Sequence, residues 1–160
     1  MPIVSSKPPL LPVIIGTGFG AGFWPWGPGT AGAVVATALW FGLHTILDFI
    51  ALQSATVIFI FIFTLLGTWA TGRLMPFWGA DPSRVVVDEM VGVWIPLVVV
   101  RPGEWEYILA SLVLFRFFDI VKPLGVRKME SLPGGMGVMA DDMLAGIYSL
   151  VIILVARWVL

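Results

Sequence analysis

Seven residues with usable chemistry fall into three short stretches. "VVVDEMVGVWI" carries Asp88 and Glu89, "FRFFDIVKPLG" carries Arg116, Asp119 and Lys122, and "GGMGVMADDMLAG" carries Asp141 and Asp142. The five carboxylates are hard oxygen ligands. The chain has no cysteine and a single histidine, His44, so this set suits Mg2+ or Mn2+ rather than zinc. Asp88 or Asp141 taken alone could simply cap a helix, where the dipole favours negative charge. Five acids at one depth are harder to explain that way, because like charges repel unless a cation lies among them.

Arg116, Asp119 and Lys122 are spaced i, i+3, i+6, so neighbours share a helix face. Lys122 precedes Pro123, where a helix is expected to end. An Arg116–Asp119 pair and a Lys122 that snorkels to headgroups would be the plain structural account. Arg116, however, directly follows the apolar run "WEYILASLVL". Charges inside a membrane are costly and are read as functional, and a guanidinium is shaped to hold phosphate in a bidentate way.

The glycine-rich "GTGFGAGFWPWGPGT" contains G-x-G-x-G, but no G-K-[ST] follows, so it is not a Walker A loop and is weak as a nucleotide motif. Its end, "GPGT", predicts a turn at Pro28 and Gly29 with Thr30 capping the first apolar helix, whose free amides could face an anion. "LPGGMGVMADD" reads as a flexible loop entering the last helix. Trp24, Trp26, Trp78 and Trp105 suit anchoring at an interface. His44 and Asp48, one turn apart, read as interfacial and not catalytic.

The elements that must position these residues are apolar. Hydrophobic residues make up 59% of the 160 and charged ones 12%, with a mean hydropathy of +0.99. A soluble domain carries about 25% charged residues, so the composition predicts an integral membrane protein in one domain, 1–160. The net charge of -1 offers no basic stripe for nucleic acid. Five apolar stretches stand out, at 31–47, 50–70, 85–100, 107–121 and 143–160. Each approaches the ~20 residues that span a bilayer as a helix. The expected fold is all-α, a membrane bundle of about five apolar helices. The N-terminal "MPIVSSKPPLLPVII" lacks a cleavage pattern and reads as part of the mature chain.

Alternate connections lie on one side of a membrane. The long polar loops and the N-terminal segment therefore share a face, with Lys7, Arg73, Arg84, Lys122, Arg127 and Lys128 on it; the other face has Arg101 and Arg157. The positive-inside rule makes the shared face cytoplasmic. All three acidic and basic stretches, and "GPGT", then converge on one layer at that interface.

Four segments, "GTGFGAGFWPWGPGTAG", "VVVDEMVGVWI", "FRFFDIVKPLGVR" and "GGMGVMADDMLAG", resemble in order the motifs of the bacterial phosphatidylglycerophosphatase A family. Pro133 stands where that family often has His, and "KPLG" where close relatives often read K-P-W-P. The resemblance implies an Mg2+-dependent multi-pass enzyme of the bacterial cytoplasmic membrane, with its active site facing the cytoplasm. Its substrate would be a phospholipid in the bilayer, phosphatidylglycerophosphate, and its product phosphatidylglycerol. It implies catalytic roles for Asp88, Glu89, Arg116, Asp119, Lys122, Asp141 and Asp142. Metal would be held by Asp88, Glu89, Asp141 and Asp142, and substrate by Gly29, Thr30, Arg116 and Lys122. Asp119 could bind metal, orient Arg116 or act as general base. A different class, a small transporter or ion-binding membrane protein, would want its charges at the midplane, whereas here they lie at helix ends.

Overall fold

The computed structural model describes residues 6–160; residues 1–5 of the N-terminal segment lie outside the described residues. Among the described residues the chain forms helices and no strands. They are α1 (Leu10–Gly16), α2 (Pro28–His44), α3 (Phe49–Trp78), α4 (Val87–Leu97), α5 (Trp105–Val121), α6 (Val126–Met129) and α7 (Gly135–Val159), with a 3-10 turn at Ala21–Phe23. The five apolar stretches fall largely on α2, α3, α4, α5 and α7. The short α1 and α6 are additions.

Helix α4 is the centre of the assembly. It packs against α2, α3, α5 and α7, and every residue from Val87 to Leu97 except Glu89 is buried. At 11 residues it is about 16 Å long, too short to cross a bilayer by itself. Two indole donors hold it and its neighbours in register. Trp94 Nε1 donates to Ala36 O at 3.0 Å, joining α4 to α2, and Trp40 Nε1 donates to Thr56 Oγ1 at 3.0 Å, joining α2 to α3. Both bonds are buried, so each satisfies a donor that would otherwise be costly.

Helices α4 and α7 approach closely because both lack side chains where they cross. A Cβ on Gly92 would strike the Phe115 ring and lie 2.9 Å from Asp142 O, and one on Gly146 would strike Gly92 O. Small residues at such a crossing let two backbones meet. This contact sets the height of Asp142 against Asp88.

Two boundaries differ most from expectation. "TGRLMPFW" was expected in a loop, yet α3 continues to Trp78 through Pro76. Its last turns are held by tertiary packing, with buried Leu74 against Gly16 of α1, which outweighs the local preference to stop. Helix α7 begins at Gly135, not near 143, so "GMGVMADD" is helix rather than flexible loop. Gly135 and Gly137 serve close packing there: a Cβ on Gly135 would meet Thr68 O of α3, and one on Gly137 would lie 2.5 Å from Leu132 O.

Among the described residues, α3 and α7 are the two helices long and apolar enough to cross a membrane. Much of α3 faces outward, with Ile50, Val57, Ile58, Phe61, Ile62 and Leu65 exposed.

Candidate active site

The three polar stretches meet at one end of the bundle. Asp88 and Glu89 stand in the first turn of α4. Arg116 and Asp119 lie in the last two turns of α5, and Lys122 is its C-terminal cap, in the left-handed conformation with φ 52°. Asp141 and Asp142 come from α7. They were expected at the start of that helix, but with α7 beginning at Gly135 they lie well inside it, about 10 Å along. They are therefore not caps, and Asp88 makes no cap hydrogen bond either, since the N-cap of α4 is Val86.

Carboxylate oxygens of Asp88, Asp141 and Asp142 lie within 4.8 Å of one another, as do those of Glu89, Asp119 and Asp142. Asp142 belongs to both groups and so sits between them. All of these residues are buried except Glu89, which is partly so. The basic side chains are placed against them. Arg116 Nη1 donates to Asp119 Oδ2. Lys122 Nζ donates to Asp141 Oδ2 at 2.6 Å and also to Glu130 Oε1. Lys122 is thus turned inward and does not snorkel. Burial pulls its pKa down, but the two carboxylates overcome that and leave it raised, so it is a permanent cation.

Five carboxyl groups against two cations leave the cluster with excess negative charge. Asp88 Oδ1, Glu89 Oε2 and Asp142 Oδ2 are buried and have no hydrogen-bond partner. Orphaned buried acceptors of this kind are expensive. Hard oxygen donors in this arrangement fit a divalent cation such as Mg2+. Asp88, Glu89 and Asp142 supply the free atoms, with Asp141 and Asp119 within reach.

The loop before α2 closes the site. A Cβ on Gly29 would lie 2.5 Å from Glu89 Oε1 and 3.1 Å from Arg116 Nη1, so a side chain here would push these two groups aside. Thr30 was expected as the helix cap and is not. The N-cap is Gly27, in the left-handed region at φ 65°, with Pro28 at the first helical position. Thr30 is exposed in the first turn. Proline fits that first position because its missing N–H would be unpaired there anyway, and the cap lies three residues upstream of the expected one.

Remote from this end, His44 Nε2 accepts from Gly103 N at 3.2 Å, and Asp48 caps α3 by accepting from Ala51 N at 2.8 Å. Both lie away from the carboxylate cluster. Glu130 is the residue that sequence reasoning missed. It lies eight positions after Lys122 in a polar loop, and nothing in "GVRKMESLPGG" distinguishes it from any solvated acid.

With the geometry described, the comparisons with known proteins become specific. The family described as Phosphatidylglycerophosphatase A matches residues 14–157. The chain belongs to this family. A Haemophilus influenzae protein named Phosphatidylglycerophosphatase A is 37% identical over 91% of this chain and 88% of its own length. An Escherichia coli protein of the same name is 30% identical over 85% of this chain and 77% of its own length. A Bacteroides thetaiotaomicron protein named "Putative phosphatidylinositol-3-phosphatase" is 57% identical over 97% of this chain and 99% of its own length. No solved structure matches. Family membership makes the chain a phosphatase, and the reading as a non-enzymatic transporter gives way to it.

Proposed function

We propose that this phosphatase hydrolyses the phosphate monoester of phosphatidylglycerophosphate, leaving phosphatidylglycerol and inorganic phosphate, with Mg2+ or Mn2+ as cofactor. The observation that carries the metal-dependent chemistry is the set of orphaned carboxylate oxygens on Asp88, Glu89 and Asp142 beside the cations of Arg116 and Lys122. The family and two relatives carry the choice of lipid. The name of the Bacteroides relative supports a second substrate, phosphatidylinositol 3-phosphate.

Asp88, Glu89, Asp141 and Asp142 would hold the ion, which would supply positive charge against the phosphoryl oxygens and acidify water. Arg116 and Lys122 offset charge on the same oxygens as the ester bond breaks. The amides of Gly29 and Thr30, free at the start of α2, add two donors. A water oxygen forms the new bond to phosphorus, its proton passes to a carboxylate of the cluster, and the departing alkoxide takes up a proton as an alcohol. Asp119 orients Arg116, and its place near Glu89 and Asp142 also lets it receive that proton.

A bilayer supports this arrangement. The outward apolar face of α3 suits lipid, and the cluster lies at one end of the helices, where a lipid phosphate would sit. The proposed setting is the bacterial cytoplasmic membrane, crossed several times, with the cluster facing the cytoplasm. Phosphate release from both lipids by purified protein in detergent, with Mg2+ and with EDTA, tests the reading. Release that needs the ion and is lost in Asp142→Asn supports it. Release that is unaffected by EDTA would refute the metal, and no release from either lipid would refute the substrate.

A further inference from the structure

Beside the carboxylate cluster lies a cavity of about 290 Å³ with both acidic and apolar walls. Its walls include Asp81 from the α3–α4 loop, Glu130 from the α6–α7 loop, and Asp141 from the active site. Met75 and Leu132 give it an apolar side. We infer that this cavity receives the hydroxyl-bearing alcohol part of the substrate, and that Asp81 and Glu130 select lipids whose phosphate monoester sits on a polyol. The inference rests on the proposed phosphatase reading and adds the class of headgroup.

Three observations lead there. First, the cavity is continuous with the site, since Asp141 lines it and also holds Lys122. A phosphate at Lys122 would place its ester alcohol next to this opening. Second, the polar part of the wall, Asp81, Glu130 and Asp141, consists of acceptors. Ionised carboxylates only accept hydrogen bonds, and hydroxyl groups are the donors that an alcohol headgroup offers. Glu130 gives Oε1 to Lys122 and keeps its other oxygen for a ligand. Third, the cavity is not another ion site. Among the described residues, the carboxylate groups close enough to share an ion do not include Asp81 or Glu130.

Glycerol phosphate and inositol phosphate headgroups both carry free hydroxyls beside the phosphate monoester. Phosphatidic acid carries none, because its phosphate is joined directly to the diacylglycerol. The cavity therefore separates polyol lipids from phosphatidic acid.

Asp81 is the residue to test, because it is exposed and outside the catalytic set. kcat/KM is measured for wild type and Asp81→Ala on phosphatidylglycerophosphate, phosphatidylinositol 3-phosphate and phosphatidic acid in mixed micelles with Mg2+. The expected result is a loss of about tenfold on the favoured polyol lipid, the size of one hydrogen bond to a charged group, with phosphatidic acid turnover unchanged. Asp81→Asn, which keeps an acceptor, should recover part of the loss. An equal fall on all three lipids, or no fall on any, would overturn the inference while leaving the phosphatase reading intact. Absence of release from every lipid by the wild type would overturn both. The two polyol arms show whether glycerol or inositol is the better fit.

Discussion

At the level of single residues, the carboxylate cluster holds buried acceptors without partners, an unfavourable arrangement that a cation would relieve. Asp142 lies between two groups of acids, and one of its oxygens is buried without a partner. Asp142→Asn removes a buried like charge, so the metal-free protein should be as stable as the parent or more so. Adding Mg2+ should raise the melting temperature of the parent, because an ion bound only by the folded state stabilises it, and should leave the variant unmoved. Thermal melts with and without Mg2+ check this independently of turnover, and an equal rise in both proteins would count against Asp142 as a ligand. Turnover by Asp142→Asn should fall on the order of a hundredfold or more. Arg116 offers a second test. Its Nη1 is engaged by Asp119 while Nε is buried and unpaired. Arg116→Lys keeps the charge but loses the planar fork. A fall in kcat of roughly tenfold or more is expected, measured by single-substrate kinetics at saturating lipid.

At the level of elements, the site depends on how closely α7 meets α4. The Gly92 crossing places Asp142 O against α4 with no room for a methyl group. Gly92→Ala should cost about 1–3 kcal/mol by overpacking and should also lower activity, because the helix that carries Asp141 and Asp142 must move away. Denaturation in detergent, with activity measured on the folded fraction, separates the two effects. The opposite end of the same helix is tied down by Arg157, whose Nη2 donates to Glu104 Oε2 at 2.7 Å and to Val99 O at 3.1 Å. The hydrogen bond from Arg157 holds the Glu104 carboxyl below its ordinary pKa. A carboxylate with a lowered folded pKa contributes stability above its unfolded value and loses it as pH falls through the folded one. Glu104→Gln should therefore cost up to roughly 1 kcal/mol at neutral pH, and the difference from the parent should shrink on acidification. Melting curves at a series of pH values would show whether it does.

At the scale of the whole molecule, the alternation of helix direction gathers one kind of chemistry at each end. Gly29, Asp88, Arg116 and Asp141 lie at one end, whereas His44, Gln53, Gly103 and Arg157 lie at the other, where Gln53 Nε2 donates to Val98 O at 3.3 Å. If the bundle is inserted in a membrane as proposed, these ends face opposite aqueous sides. The absence of cysteine from the chain makes this simple to test. Single cysteines introduced as Arg127→Cys and Pro102→Cys, both at exposed positions, should react with an impermeant thiol reagent from opposite sides of sealed vesicles. Labelling of both from one side would refute the proposed crossing.

The sequence by itself determined the helical class, the five main apolar helices and the grouping of seven charged residues at one end. These follow from local facts: runs of apolar residues long enough for helices, charges at helical spacing, and Pro123 after Lys122. Gly29 was also legible, although as part of a turn and not for its close approach to Glu89 and Arg116. Tertiary structure alone decided where α3 ends and where α7 begins, because packing of Leu74 on α1 and of Gly135 on α3 overrides the local signals of proline and glycine. It also decided that Lys122 turns inward, that Glu130 shares it, and that Asp142 bridges both carboxylate groups. Those outcomes depend on contacts between residues distant in the chain, and side-chain spacing along one helix carries no information about which acid a neighbouring helix will present.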